Sequence, residues 1–192
     1  MSTIFFNSHR SAAYKTESWR HIFSQWYCSG KGFIGNDSIY DLSPFILKDD
    51  WDNLVLNIQF QLREQWMMYV KALVFAKNEY RDANLNIANQ IIKTIDPNVI
   101  KTLGRTVKGY NDEIWNECKF KIVVNGNHLE FSQNKEMKKI LMSTGNRTLA
   151  EASPKDRIWG IGFNVSDAVK TPENKWGLNL LGKAIMETRQ HL

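Results

Sequence analysis

The sequence predicts an α+β fold: a single compact, predominantly helical domain spanning residues 1–192, with a few short strands. Three observations lead there. Most of the chain after residue 62 reads as successive helices, the first with side chains recurring at spacings of three and four. Strand candidates are few, and the clearest is the alternating run from Leu54 to Leu62. No glycine-rich phosphate loop joins a strand to a helix, which excludes a doubly wound parallel sheet.

Taken in order, the first 50 residues are rich in turn formers and aromatics, and "CSGKGFIGNDS" reads as loop. In "LVLNIQFQL", Leu54, Leu56, Ile58, Phe60 and Leu62 alternate with other residues, the period of a strand with one buried face. "REQWMMYVKALVFAK" drops that alternation. Glu64, Met67 or Met68, Lys71 and Phe75 share one helical face. "DANLNIANQIIKTI" is a second helix. Asp96 and Pro97 form the cap and first turn of a third, "NVIKTLGRTV". A fourth begins near Asp112 and carries Ile114, Trp115, Cys118 and Ile122 inward; it either runs beyond Gly126 or breaks at "VVNGN", which argues for the break. "NKEMKKILMSTG" is a short helix stopped by glycine. An extended or turning stretch, "TLAEASPKDRIWGIGF", precedes the last helix, "LNLLGKAIMETR".

At 192 residues the chain is long enough for a core without metals or bridges, and no repeat, low-complexity tract or linker divides it. The 25 basic and 20 acidic residues leave a net charge of +5, which serves solubility or attracts phosphate-bearing ligands. Seven tryptophans suit either a thick core or a pocket that stacks on flat rings. Two cysteines, Cys28 and Cys118, make no disulfide framework, so a reducing cytoplasm is expected. "MSTIFFNSHR" holds too short an apolar run for a signal peptide, and no stretch approaches a membrane span.

Several residues carry chemistry. Glu64 opens a helix directly after a strand, where unpaired backbone N–H groups favour negative charge. Lys71 follows two turns later on the same face, about 10 Å away by helix rise. The pair reads as a capping acid and a snorkelling lysine, or as two groups reaching one ligand. Arg105 follows a glycine near a helix end, where a guanidinium grips a phosphate or joins a solvated basic surface. Trp115 is core or a nucleobase platform. In "SPKDRIWGIG", Ser153, Pro154 and Asp156 form a turn with side chains bonded back to amides. Gly160 and Gly162 beside Trp159 let backbone approach another strand or a ligand. Asn179 caps the last helix or binds a ligand. Two carboxylates in unlike settings suit glycoside hydrolysis, one ionised and one assisting the leaving group. The histidines His9, His21, His128 and His191 lack metal-site spacing, and no cofactor is expected.

Six blocks in order are more specific than any one of them. "FSQWY", "REQWMMYVKA", "LGRTVKGY" with Trp115, "KF" followed by "FSQN", "TGNRTLAEASPKDRIWGIG" and "GLNLLGKAIMETR" together span residues 23–190. In these the chain resembles the YbiA-like family, also called the NADAR family. The resemblance implies a compact α+β fold and N-glycosidase activity. The implied substrate is ADP-ribosyl-guanine, free or in DNA or RNA, or a phosphorylated ribosylamino-pyrimidine of riboflavin synthesis. It places the family's conserved acid on Glu64, its following lysine on Lys71 and its aspartate on Asp156. Both acids are then expected to flank the anomeric carbon, with Glu64 or Asp156 deprotonating water and the other acid or Lys71 handling charge on the sugar or base. Substrate contacts are expected from Ser24, Gln25, Trp26, Arg105, Trp115, Trp159, Gly160 and Asn179. Gln25 replaces the family's usual asparagine, and its extra methylene shifts any contact made by that amide. No membrane and no obligate protein partner are implied. The rival readings are a non-catalytic ADP-ribose or nucleotide-binding module, which needs only one acid or neither, and a purely structural or interaction protein, which leaves the motif order unexplained.

Overall fold

The structure is a computed structural model that describes residues 3–8, 10 and 17–192; His9 lies outside the described residues. The fold is α+β, dominated by helices, with four short strands among the described residues. The chain divides into two compact units. One joins the residues up to Tyr27 with Asn134–Leu192, and the other is Cys28–Gln133.

The Cys28–Gln133 unit is built around one helix. In it β2 (Phe33–Ile34) pairs antiparallel with β3 (Gln59–Phe60), Phe33 opposite Phe60. Helix α1 (Lys48–Leu54) comes between these strands, and α2 (Arg63–Val74) follows them. Then come α3 (Arg81–Ile92), α4 (Pro97–Arg105) and α5 (Asp112–Gln133). Eleven of the twelve residues of α2 are buried, Lys71 being the exception. A helix apolar nearly all round must be covered on every side. Helices α3, α4 and α5 all pack against it. Trp66 lies at the centre, its indole donating to the Ile122 carbonyl at 2.8 Å and packed edge-on to Phe60 with ring centroids 5.1 Å apart. This tryptophan belongs to the core.

Three expectations for this unit change. The strand expected over Leu54–Leu62 shrinks to Gln59–Phe60, and its start closes α1 instead. Asn57 takes a left-handed φ of 64°, while its amide donates to the Gly35 carbonyl and the Gly35 amide to Ile58. The alternation is real, but the backbone bulges through it. The fourth helix runs unbroken through Gly126, because the Trp66 ring packs where a side chain would stand. Ile114 is 41% exposed and does not join the core, whereas Trp115, Cys118 and Ile122 do. The Asp96 cap forms as expected, its carboxylate accepting from the Asn98 and Val99 amides.

In the other unit β1 (Thr3–Phe6) and β4 (Thr148–Glu151) pair in parallel, Thr3 opposite Thr148. Helix α6 (Lys135–Ser143) is capped by Asn134, which accepts from the Met137 amide. A short α7 (Val165–Ala168) and the last helix, α8 (Leu180–Gln190), complete the unit. Phe5, Ala150, Ala152, Ile161 and Ala168 form its core, with Phe163 and Trp176 packed against them. Ala150 on β4 and Ala152 just after it are small enough to admit this close packing.

Candidate active site

Glu64 lies in the first turn of α2 and is only 7% exposed. Its two neighbours fix that turn from opposite sides. Arg63 reaches α5, donating to the Asn127 side-chain oxygen. Gln65 turns towards the end of α3, its amide nitrogen donating to the carbonyls of Ile91, Ile92 and Thr94, the last at 2.9 Å. Its carbonyl oxygen accepts from the Gln61 amide at 2.8 Å. The Ile91 carbonyl also accepts from the Thr94 amide, and the bonds from Gln65 add a side-chain donor at this helix end, where carbonyls run out of helical partners. The carboxylate is thus carried on a turn held rigidly at both flanks.

Lys71 is half-buried on the same helix. Its Nζ donates to the Gly104 carbonyl at 2.8 Å and lies 4.5 Å from the Tyr110 ring centroid and 5.4 Å from that of Trp115. Aromatic faces attract an ammonium, and the carbonyl fixes its position. Burial pushes the Lys71 ammonium below the ordinary lysine range; the charge of Arg105 adds to this, and Asp112 opposes it. Gly104 makes the arrangement possible. A Cβ there would lie 2.1 Å from Met68 Sδ, so only glycine lets α4 approach α2 this closely. The glycine of "LGR" therefore serves helix packing and presents its carbonyl to Lys71.

Tyr110 is a residue that sequence reasoning missed as part of this cluster, although "KGY" lies within a motif block. Its hydroxyl donates to Asp112 at 2.8 Å. Burial, the bond to Asp112 and that residue's charge push its phenol up to about 12. Trp115, 8% exposed on α5, meets Lys71 with its ring and is both core and cluster member. Arg105 ends α4 and is exposed. A helix C-terminus favours such a cation. A cavity of about 470 Å³ in this unit is lined by Asp37, Tyr40, Trp51 and Asp52 among others, and none of the sequence-predicted site residues lines it.

The other sequence-predicted residues belong to the unit of the two chain ends. Ser24, Gln25 and Trp26 follow a 3-10 helix, Ser18–Phe23, and are all half-buried. The Trp26 amide donates to the Ser24 hydroxyl at 3.3 Å, and the Tyr27 amide to the Ser24 carbonyl at 3.0 Å. Asp156 is half-buried, and one carboxylate oxygen accepts from the amides of Ile158 (2.9 Å) and Trp159 (2.8 Å). The expected turn is present. Its glycines approach the chain's own backbone: a Cβ on Gly160 would lie 2.9 Å from the Glu151 carbonyl oxygen and 3.0 Å from that of Asp156. The segment after Trp176 adds to the turn as a ribbon, with Gly177, Leu178, Asn179 and Leu181 donating to Ile161, Arg157, Gly160 and Trp159. Trp159 is half-buried on this ribbon.

Asn179 occupies the residue before α8 in a left-handed conformation but does not cap the helix with its side chain. Its amide nitrogen donates to the Leu149 carbonyl at 2.9 Å, and its oxygen accepts from the Glu151 amide at 3.1 Å. It clips the ribbon to β4.

The protein is a helical α+β one. Its Cys28–Gln133 unit carries a buried carboxylate and a carbonyl-held lysine on one central helix, and its other unit carries an aspartate in a turn held by backbone amides. The chain belongs to the NADAR family, whose domain model matches residues 10–192. An N-glycosidase of Acanthamoeba polyphaga mimivirus is 38% identical over 180 residues, covering 93% of this chain and 91% of its own length. The protein irg-1 of Caenorhabditis elegans is 32% identical over 176 residues, 89% of this chain and 75% of its own. An N-glycosidase of Nostoc punctiforme is 30% identical over 96 residues, 50% of this chain and 55% of its own. The fold is similar to the NMR structure of the Escherichia coli protein YbiA, with a TM-score of 0.59 at 20% identity over 100% of this chain and 86% of that one. Among the described residues, no helix is long and apolar enough to cross a membrane.

Proposed function

We propose that this chain is an N-glycosidase, a hydrolase that cleaves the bond between the anomeric carbon of a ribosyl group and the nitrogen of a base. The observation that carries the reading is the 38% identity to the mimivirus N-glycosidase across nearly the full length of both chains. Glu64 orients and deprotonates the attacking water. Lys71 supplies positive charge where the sugar or the departing base needs it. Asp156 is the second acid of the reaction, Arg105 holds a phosphate, and Trp115 or Trp159 faces the base. Ser24, Gln25 and Trp26 contribute substrate contacts, while Gly160 and Asn179 shape the turn that carries Asp156.

The substrate is ADP-ribosyl-guanine, free or in DNA or RNA, or a phosphorylated ribosylamino-pyrimidine. The net charge of +5 favours a substrate within nucleic acid, whose phosphates attract a basic surface. Paired turnover assays on ADP-ribosyl-guanine DNA and on a ribosylamino-pyrimidine phosphate test the reading. Release of free base from either one is the expected result. Tight binding of ADP-ribose with no base released from either substrate would establish the non-catalytic reader instead.

The lysine gives a pH signature. Its lowered pKa makes the neutral amine appear at lower pH than in a free lysine, so activity that needs the ammonium declines as pH rises through that value. The alkaline limb of kcat/KM is expected below 10.5, the ordinary lysine value, and is expected to disappear in the residual activity of Lys71→Met. Tyr110, held near 12, does not titrate in that window. A limb at or above the ordinary lysine value would remove Lys71 from this role.

A further inference from the structure

Arg63 and Glu130 are 1% and 0% exposed, yet both are ionisable. Arg63 Nε lies 2.7 Å from Glu130 Oε2, its Nη1 donates to the Asn127 side-chain oxygen at 2.6 Å, and its guanidinium covers the Phe131 ring at 5.1 Å. Asn127, Glu130 and Phe131 are successive contacts along α5, whereas Arg63 is the first residue of α2. Stability gives little reason to retain such a pair. Desolvating two charges offsets most of their attraction, and apolar replacements of similar volume are often as stable.

The location gives a reason. Arg63 is the peptide neighbour of Glu64, and the residue before the helix, Leu62, offers no side-chain cap. Helix ends fray unless tied. Gln65 ties this end to α3. Trp66 bonds to the Ile122 carbonyl of α5 one turn on, and Arg63 ties the first residue of the helix to α5.

We propose that Glu130 is a positioning residue for hydrolysis: through Arg63 it locks the first turn of α2 and so fixes where the Glu64 carboxylate points. The role rests on the reading of Glu64 as the group that activates water. Displacing a reacting group by about 1 Å costs about a hundredfold in rate. Substrate contacts made elsewhere are untouched, so the loss falls on kcat rather than KM.

The test compares four proteins on whichever substrate the wild type turns over: wild type, the Arg63→Met/Glu130→Met double variant, Glu130→Asp and Glu64→Gln. Thermal unfolding is measured alongside kcat and KM. The double variant replaces both charges with apolar chains of similar size and is expected to fold. Its kcat is expected to fall about a hundredfold with KM within about threefold of wild type. Glu130→Asp keeps the charge but shortens the reach, and is expected to fall between the two. A folded double variant with wild-type kcat overturns the proposal. If the double variant does not fold, a folded Glu130→Asp protein with unchanged kcat overturns it equally. Glu64→Gln separates the two ideas. Its inactivity beside a fully active double variant rejects the positioning role alone, whereas its full activity rejects the role of Glu64 and the positioning role with it.

Discussion

Glu64→Gln is expected to lower kcat by about 10²–10⁴-fold, the range for removing a positioned proton-transfer group. The substitution is nearly isosteric. Because Arg63 and Gln65 hold the turn independently, the fold is expected to persist. The carboxamide accepts hydrogen bonds but takes no proton from water at neutral pH. Thermal unfolding close to wild type, together with lost base release, is the expected pair of results. Wild-type turnover in a folded Glu64→Gln protein would withdraw the assignment.

Asp156 offers a sharper separation of shape from charge. Its carboxylate oxygen accepts two backbone amides, a task that asparagine performs equally well in turns. Asp156→Asn is therefore expected to keep the turn and the ribbon while lowering kcat by about a hundredfold or more through loss of the negative charge. Asp156→Ala also removes the oxygen that accepts from both amides, with a further stability loss of about 0.5–1.5 kcal/mol for each bond. Measuring unfolding and kcat for both variants distinguishes the roles. Full turnover by Asp156→Asn with a loss only in Asp156→Ala would make the aspartate a turn-forming residue alone.

The parts of the fold legible in the sequence are those whose physics is local. Asp96 and Pro97 announce α4 because the cap bonds reach only two and three residues. Asn134 starts α6 for the same reason. The strand expected at Leu54–Leu62 shrank because the partner that bends it, Gly35, lies some twenty residues upstream and leaves no mark on the alternation. The uninterrupted α5 depends on Trp66 filling the space beside Gly126, a contact between distant helices. The same distinction runs through the site. Glu64, Lys71 and Asp156 stand out as side chains in motifs. What holds Lys71 is a backbone carbonyl and the face of Tyr110, and neither has a sequence pattern that points to an ammonium. Asn179 sits where a helix cap belongs, but β4 lies close enough to take both ends of its amide. Glu130 escaped notice because a lone glutamate on a long helix reads as a solvated side chain until α2 is packed over it. Burial raises its carboxyl above the ordinary range against the opposing effect of Arg63, which shows how far that setting departs from water.

The central claim is that water attacks the anomeric carbon of a ribosylated base. The most direct measurement is turnover in ¹⁸O-labelled water, with mass spectrometry of both products. Hydrolysis of an N-glycosidic bond places the solvent oxygen on the sugar and leaves the base unlabelled. The expected result is one ¹⁸O in the ribosyl or ADP-ribosyl product and none in the released base, with labelled product formed about 10²–10⁴-fold more slowly by Glu64→Gln. Label in the base, or binding of both substrates with no release at all, would contradict the account.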